Sequence, residues 1–183
     1  MTRTLAQIDE ALSRLQAPPR DTGTVNGLVL RPTRGTRKVV DQVVLTPEKG
    51  IIGDRWSSKP HKSRDRQVSA IRTDVLSCLS GNAAEALSGD NLHVDFDLSE
   101  HNLPAGSEVA IGNEVLLRVS PEFHGPCHLF QGRFGEHAYA ASISETWRPL
   151  RGRGVLFEVI HGGEIQVGDT ITVVKRASLP KSP

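Results

Sequence analysis

Eight short strand-like runs, separated by turns rather than by helices, limit the folds open to this chain. The runs cover residues 24–31, 37–45, 67–71, 92–96, 108–111, 115–120, 154–160 and 165–174. Turns containing glycine, proline or asparagine divide them, as at 111–114 and 161–164. Many short strands with little regular helix between them favour a closed or nearly closed β-barrel. We therefore predict a mainly β fold, a barrel with a few short helices.

An amphipathic helix is predicted over residues 4–16, ahead of the strands. Leu5, Ile8, Leu12 and Leu15 recur at spacings of three and four, so they share one face of a helix. Such an arm packs either on its own domain or on a second subunit, and we favour its own domain. The chain then divides into an arm at 1–22, one domain at 23–175 and a flexible tail at 176–183.

Two further helices are expected within the domain. One covers residues 73–80, with an extension to 87 left open, and carries Cys78 among apolar neighbours, where a thiol acts as a core filler. The other covers residues 135–147. Residues 54–66 are polar and lack periodicity, so we expect a mobile rim there.

The charge and cysteine content exclude several classes of protein. A net charge of +1 provides no general basic field, so we expect neither nucleic-acid nor membrane binding. No apolar run approaches the roughly 18 residues of a membrane span, and the N-terminus lacks the pattern of a signal peptide. Two distant cysteines do not make a disulfide scaffold. A reducing, cytoplasmic compartment is the expectation.

Cys127 is the main candidate for chemistry, because a histidine lies on either side of it at His124 and His128. The thiolate is the nucleophile and the metal ligand, and imidazolium or backbone N–H groups nearby favour it. Pro126 has a fixed φ and would hold the thiol in a defined direction. Two alternatives stay open: Cys127 is a small packing residue, or it joins the two histidines in a zinc site, for which no fourth ligand is evident.

Further polar residues could line a pocket around this thiol. Asp54 follows two glycines at a turn, and Arg66, Arg151 and Arg153 could clamp a phosphate or carboxylate through paired N–H donors. Asn91 could hydrogen-bond a heterocycle. Taken one at a time, these residues also fit plain turn or surface roles.

Eight short motifs resemble the MOSC domain family, the C-terminal module of molybdenum cofactor sulfurases, in their order along residues 24–174. The motifs are Gly50-Ile51-Ile52-Gly53-Asp54-Arg55, Arg66-Gln67-Val68-Ser69, Gly89-Asp90-Asn91-Leu92, Leu103-Pro104-Ala105-Gly106, Ile111-Gly112, Pro126-Cys127, Arg153-Gly154-Val155 and Gly168-Asp169. The resemblance implies a stand-alone bacterial-type member with a β-barrel related to that of pyruvate kinase. Asp90 stands where glutamate is more usual in the family.

For function, the resemblance implies that Cys127 carries sulfur as a persulfide or ligates molybdenum. It also implies a pocket for molybdopterin or a purine-like molecule, formed by Asp54, Arg66, Asn91, His124, His128, Arg151 and Arg153. Pyridoxal phosphate is associated with the family through the desulfurase domain, which this chain has no room for. A separate cysteine desulfurase would then donate the sulfur. Reduction of N-hydroxylated bases with a bound molybdenum cofactor, a non-catalytic ligand-binding barrel, and a homodimer all stay open.

Overall fold

The computed structural model describes residues 2–60, 62–81 and 88–179, which form four α-helices and eleven β-strands. The helices are α1 (Leu5–Ser13), α2 (Thr73–Ser80), α3 (His128–Phe134) and α4 (Glu136–Ile143). The strands are β1 (Thr22–Leu30), β2 (Lys38–Val40), β3 (Gln42–Thr46), β4 (Gly50–Ile51), β5 (Val68–Arg72), β6 (Leu92–Asp95), β7 (Glu108–Ile111), β8 (Val115–Val119), β9 (Val155–His161), β10 (Gly163–Gln166) and β11 (Thr170–Lys175).

Seven of these strands form a closed, mixed β-barrel, which confirms the predicted fold class. Their order is β11-β7-β8-β9-β5-β6-β1, and pairing of β1 with β11 closes the ring. Within the described ring, β5 and β6 form the parallel pair, and α2 follows β5 along the chain. β2 extends the sheet beyond β1, while β10, β3 and β4 form a small separate sheet.

The barrel interior is filled by apolar side chains that alternate along the strands. In β8, Val115, Leu117 and Val119 are buried and alternate with more exposed residues, as expected for strands with one face inward. They join one apolar cluster with residues of other strands, including Phe157 of the neighbouring β9 and Ile171 of β11. All of β5 is buried, since helices cover its outer face.

A second apolar cluster lies outside the barrel and contains residues from each of the four helices. Ile8 and Leu12 of α1 pack with Ile71 of β5 and with residues of α2, α3 and α4. The indole Nε1 of Trp147 donates a hydrogen bond to Asp9 at 2.7 Å, which ties α1 to the end of the α4 segment. The N-terminal arm therefore packs on its own chain.

Two predicted runs each divide into two strands. Residues 37–45 form β2 and β3, and residues 165–174 include parts of β10 and β11. β10 and β11 belong to different sheets, and Gly168, with φ of 95°, turns the chain between them. The first break falls at the polar pair Asp41-Gln42, and the second falls at Gly168-Asp169, a turn signal inside the predicted run.

Three other expectations are corrected by the packing. Residues 54–66 contain the 3-10 helices Arg55–Ser58 and Arg64–Arg66 instead of an irregular rim, because the buried Trp56 anchors the segment. α3 was missed, and the helix expected at 135–147 ends at Ile143. The predicted tail begins with fixed residues, since Arg176 donates to Asn102. The extension from 82 to 87 and the tail beyond 179 lie outside the described residues.

No helix in the described ranges combines the length and the apolar character needed to cross a membrane.

Candidate functional site

The candidate site begins with a buried polar network of Asp54, Asn91 and Arg31. The Arg31 guanidinium donates to Asp54 from Nε at 2.8 Å and from Nη2 at 3.2 Å. Asn91 donates from Nδ2 to Asp54 at 3.0 Å and accepts from Arg31 Nη2 at 2.7 Å. Burial alone would raise the pKa of Asp54, but the hydrogen bond and charge of Arg31 lower the pKa of this carboxyl overall. The network attaches the segment after β4 to the ends of β1 and β6.

A second buried network starts at the neighbouring residue, Asp90. Arg153, at the entrance to β9, donates from Nη1 to Asp90 Oδ2 at 2.8 Å, and both side chains are almost fully buried. Arg153 Nη2 lies 3.4 Å from His124 Nε2, and His124 Nε2 lies 3.6 Å from Asp90 Oδ1. Burial alone would raise the pKa of Asp90, but the charge of Arg153 lowers this pKa to about 2. Asp90 is therefore a carboxylate at neutral pH.

His124 is neutral in this network at neutral pH. Burial is the largest cause that lowers the pKa of His124 to about 4, and the attraction of Asp90 only partly offsets it. Its Nε2 faces both Arg153, which can only donate, and the Asp90 carboxylate, which can only accept, so the two contacts favour different tautomers.

Four buried polar atoms in this region have no hydrogen-bond partner among the described residues. They are Asp90 Oδ1, His124 Nδ1, Arg153 Nε and Arg37 Nε. Buried polar groups are normally paired, because an unpaired one costs about 1–3 kcal/mol. These atoms leave hydrogen-bonding capacity unused within the two polar networks.

Positive charge is concentrated around the same place. Burial lowers the pKa of Arg37, and the charges of Arg133, Arg55 and Arg31 lower it further. Arg37 lies against Gly89, where a Cβ would be 3.2 Å from its Nε and Nη2, and φ at Gly89 is 78°. The positive φ favours glycine at this position, and the Arg37 side chain packs on it. We call Arg31, Arg37, Arg55, Arg133 and Arg153 the cationic cluster.

Cys127 is exposed and immediately precedes α3, as its N-cap residue. The chain on both sides of it contacts Arg153: His124 lies near Nη2, and the ring of Phe130 lies 4.4 Å from the guanidinium carbon. Each contact is three residues from Cys127 along the chain, which limits how far this residue can lie from Arg153. His128, in the first turn of α3, is exposed.

Arg66 and Arg151 occupy other positions around the site. Arg66 is 61 % exposed in its side chain and forms an ion pair with Glu122. Arg151 adopts a left-handed conformation, with φ of 48°, and donates from Nη1 to the carbonyls of Leu98 and Leu103 at 3.1 and 2.9 Å. Neither guanidinium belongs to the buried networks that hold Asp54, Asn91, His124 and Arg153.

A cavity of about 190 Å³ lies beside His124. The side chains that give it its chemical character are Glu100, Glu122, Phe123, His124, Arg148 and Arg151. Cys127 is not among the described residues that line it. His124 therefore lines this cavity and also belongs to the Asp90–Arg153 network.

No three histidine, cysteine, aspartate or glutamate side chains in the described ranges lie close enough to hold a metal ion. A zinc site of His124, Cys127 and His128 has no support in this arrangement. Any metal held by Cys127 would need further ligands from outside these side chains.

Sequence reasoning missed Arg31, Arg37 and Asp90 as members of the site. Asp90 was quoted only as part of a motif, although it is the carboxylate that Arg153 needs. Arg31 carried a weak signal, since it ends a strand-like run just before Pro32. Arg37 carried none, because nothing near it in sequence indicates its contact with Gly89.

Solved structures with the same fold share little sequence with this chain. The YuaD protein from Bacillus subtilis is 20% identical, with a TM-score of 0.63 over 88% of this chain and 100% of its own. YiiM from Escherichia coli is 23% identical, with a TM-score of 0.56 over 85% of this chain and 71% of its own. YiiM from Geobacillus stearothermophilus is 14% identical, with a TM-score of 0.54 over 87% of this chain and 75% of its own.

No curated protein matches this chain significantly in sequence. The family model of the MOSC domain, however, matches residues 57–172, which is more than half of the chain and includes Asp90, Asn91, His124, Cys127 and Arg153. Together with the closed barrel, this match shows that the chain belongs to the MOSC domain family.

Proposed function

We propose that this protein is a sulfur carrier that holds a sulfane sulfur on Cys127 while an anionic ligand is bound by the cationic cluster. The observation that supports it is the position of Cys127: an exposed thiol in a segment that contacts Arg153 three residues before it, at His124, and three residues after it, at Phe130. A cysteine that only packs would be buried among apolar groups, as Cys78 is.

The charge balance of the site favours an anion. Arg31 is matched by Asp54 and Arg153 by Asp90, whereas Arg37 is exposed to the repulsion of Arg133, Arg55 and Arg31. A bound phosphate or carboxylate would relieve that repulsion and would accept from Arg37 Nε.

The transfer step conserves atoms and electrons. The Cys127 thiolate attacks the outer sulfur of a cysteine persulfide on a donor protein, the S–S bond of the donor breaks, and the donor leaves as a thiolate. Cys127 then holds the sulfane sulfur as a persulfide. An acceptor thiolate attacks that outer sulfur in turn and releases Cys127. We propose a separate cysteine desulfurase as the donor.

The residues present fit the molybdenum cofactor as the anionic ligand. Its phosphate suits arginine donors such as Arg37 Nε, and its metal suits a soft thiolate such as that of Cys127. When bound, the cofactor would supply a redox-active metal centre. The protein's own part would be to bind the phosphate and to present the thiolate. Three further residues would touch the bound cofactor only at the edge of the site: Arg66, His128 and Arg151.

Sulfur loading tests the proposal directly. The purified protein is incubated with a cysteine desulfurase and L-cysteine, and its intact mass is measured under non-reducing conditions. Wild type and the control Cys78→Ser should gain one sulfur atom, and Cys127→Ser should gain none. Equal loading of all three proteins, or no loading of wild type, overturns the carrier function.

Elemental analysis separates this function from its main alternative. Molybdenum bound in stoichiometric amount to the protein as purified, with no sulfur gained on Cys127, would favour reduction of N-hydroxylated bases by a permanently bound cofactor. An anion should also protect the thiol: inorganic phosphate should slow the alkylation of Cys127 by iodoacetamide, and Arg37→Met should remove that protection.

A further inference from the structure

One buried arginine connects the barrel to both ends of the segment that carries Cys127. Arg153 precedes β9, and its Nη1 donates at 2.8 Å to Asp90, which precedes β6. The Nη2 of the same guanidinium lies 3.4 Å from His124 Nε2, and its carbon lies 4.4 Å from the ring centroid of Phe130. A single side chain therefore contacts the barrel, the start of the segment 124–130 and the end of that segment.

The main chain of this segment has few anchors of its own before Cys127. No N–H of residues 123–127 donates to a main-chain carbonyl in the part of the chain that the structure describes, and Pro126 has no N–H. After that point the carbonyl of Cys127 accepts from the N–H groups of Phe130 and Gln131, at 2.9 and 3.1 Å, as α3 begins. The direction of the thiol therefore depends on α3 on one side and on side-chain contacts on the other.

The chemistry of the guanidinium suits it to making all of these contacts together. It is planar and carries N–H donors that point in several directions, and its face can lie on an aromatic ring. Lysine also carries a positive charge, but it is a point charge that could pair with Asp90 without reaching His124 and covering Phe130 at the same time. Arg153 is only 7 % exposed in its side chain, so these contacts are made inside the protein.

We propose that Arg153 is a positioning residue for the sulfur transfer at Cys127. It does not act on the sulfur itself. By holding His124 and Phe130 together, it fixes the segment between them to the barrel, so that the thiol is presented in one direction when a donor protein approaches. In this role Arg153 acts within the protein, instead of clamping a phosphate as the family resemblance implies. The inference rests on the carrier function proposed above.

The kinetic consequence follows from the geometry. Reacting atoms that are already oriented need less ordering in the transition state. Loss of the orientation should therefore lower the rate of sulfur transfer at saturating donor, while the concentration of donor that gives half of that rate should change little.

Arg153→Lys is the decisive variant, because it separates positioning from charge. It keeps a cation beside Asp90, so it should retain a higher urea midpoint than Arg153→Met, which leaves that carboxylate buried and unpaired. Arg118→Lys is the matched control, since Arg118 pairs with Glu108 at the surface of the barrel. Both lysine variants are studied as full-length protein.

Hydrogen exchange measured by NMR tests whether Arg153 holds the segment, without any sulfur chemistry. The amides of Phe130 and Gln131 donate to the carbonyl of Cys127, so their exchange reports how firmly this residue is held. In Arg153→Lys both amides should exchange at least about tenfold faster than in wild type. The amide of Val119, which donates to Ser107, should stay within about twofold of wild type and so exclude global unfolding as the cause.

Sulfur loading then tests the link to function. The initial rate of loading is measured against the concentration of a persulfide-charged cysteine desulfurase. Arg153→Lys should lower the saturating rate at least about tenfold and leave the half-saturating concentration within about twofold. Arg118→Lys should match wild type in both quantities.

Two results overturn the inference. One is unchanged exchange at Phe130 and Gln131 in Arg153→Lys, which would show that the guanidinium does not hold the segment. The other is faster exchange with an unchanged saturating rate, which would show that holding the segment does not matter for transfer. If wild type gains no sulfur at all, the proposed function fails, and hydrogen exchange alone decides whether Arg153 fixes the segment.

Discussion

The buried pair of Asp90 and Arg153 allows a quantitative test of how the site is held together. Both side chains are nearly sealed from solvent, at 1 % and 7 % exposure, and they are joined at 2.8 Å. Removing one partner of such a pair leaves an uncompensated buried charge and costs about 3–5 kcal/mol. Asp90→Leu and Arg153→Met should each lower the free energy of unfolding by about that amount.

The double variant decides whether the pair or the individual side chains carry this effect. With both charges removed, neither is left unpaired, and the methionine can still pack on Phe130, so the loss should be about 1 kcal/mol or less. The interaction energy in the double-mutant cycle should then exceed about 3 kcal/mol.

Urea unfolding at pH 7, followed by circular dichroism, measures all four proteins. Arg118→Met is the matched control, because Arg118 pairs with Glu108 at the surface and is 43 % exposed, so its loss should cost about 1 kcal/mol or less. If the two single losses simply add in the double variant, the pair is not the unit that stabilises the site and the reasoning fails.

Two further predictions concern unfolding at acid pH and the substitution of two glycines. Burial lowers the pKa of His124 to about 4 in the folded protein, whereas in the unfolded chain it is near 6.5. As the pH falls from about 6.5 to 4, the unfolded chain therefore binds a proton that the folded protein does not bind. The free energy of unfolding should fall by at most about 3 kcal/mol over this range. His124→Phe should remove most of this pH dependence in urea titrations, and an unchanged slope would contradict the assignment. Gly154→Ala should cost more than about 3 kcal/mol, because φ is 77° and the new Cβ would overlap the main chain of β5. Gly132→Ala, on the open side of α3, should instead raise the thermal midpoint, with a gain of about 1 kcal/mol, and equal effects of the two changes would refute this.

Local sequence patterns predicted the barrel well because each strand carries its own alternation. The strand at 108–111 was placed with its observed bounds, and the burial of Val109 and Ile111 follows from period-two patterning. α3 was missed because Gly132 interrupts a short pattern. Its signal was the pair Phe130 and Phe134, four residues apart, whose ring centroids lie 4.8 Å from each other.

The partners within the site could not be predicted in the same way. Asp90 and Arg153 are 63 residues apart, and Arg31 and Asn91 are 60 apart. The first pair meets through the register of β5 with β6 and β9, and the second meets through the register of β1 with β6, neither of which a local pattern encodes. Resemblance to a family identified Asp54, Asn91 and Arg153 as candidates but did not say which charges they would meet.

The arrangement of charges supports the proposal that this region serves binding rather than stability. Asp90 and Asn91 are consecutive, yet one joins Arg153 and His124 while the other joins Arg31 and Asp54, so a single peptide bond links two buried polar networks. Replacing buried ion pairs with apolar groups is often neutral or stabilising. The apolar barrel interior and the helical cluster already supply the fold with two cores. A region that nevertheless retains several repelling arginines and unpaired buried atoms lowers the stability of the free protein, and a ligand that neutralises them recovers that free energy on binding.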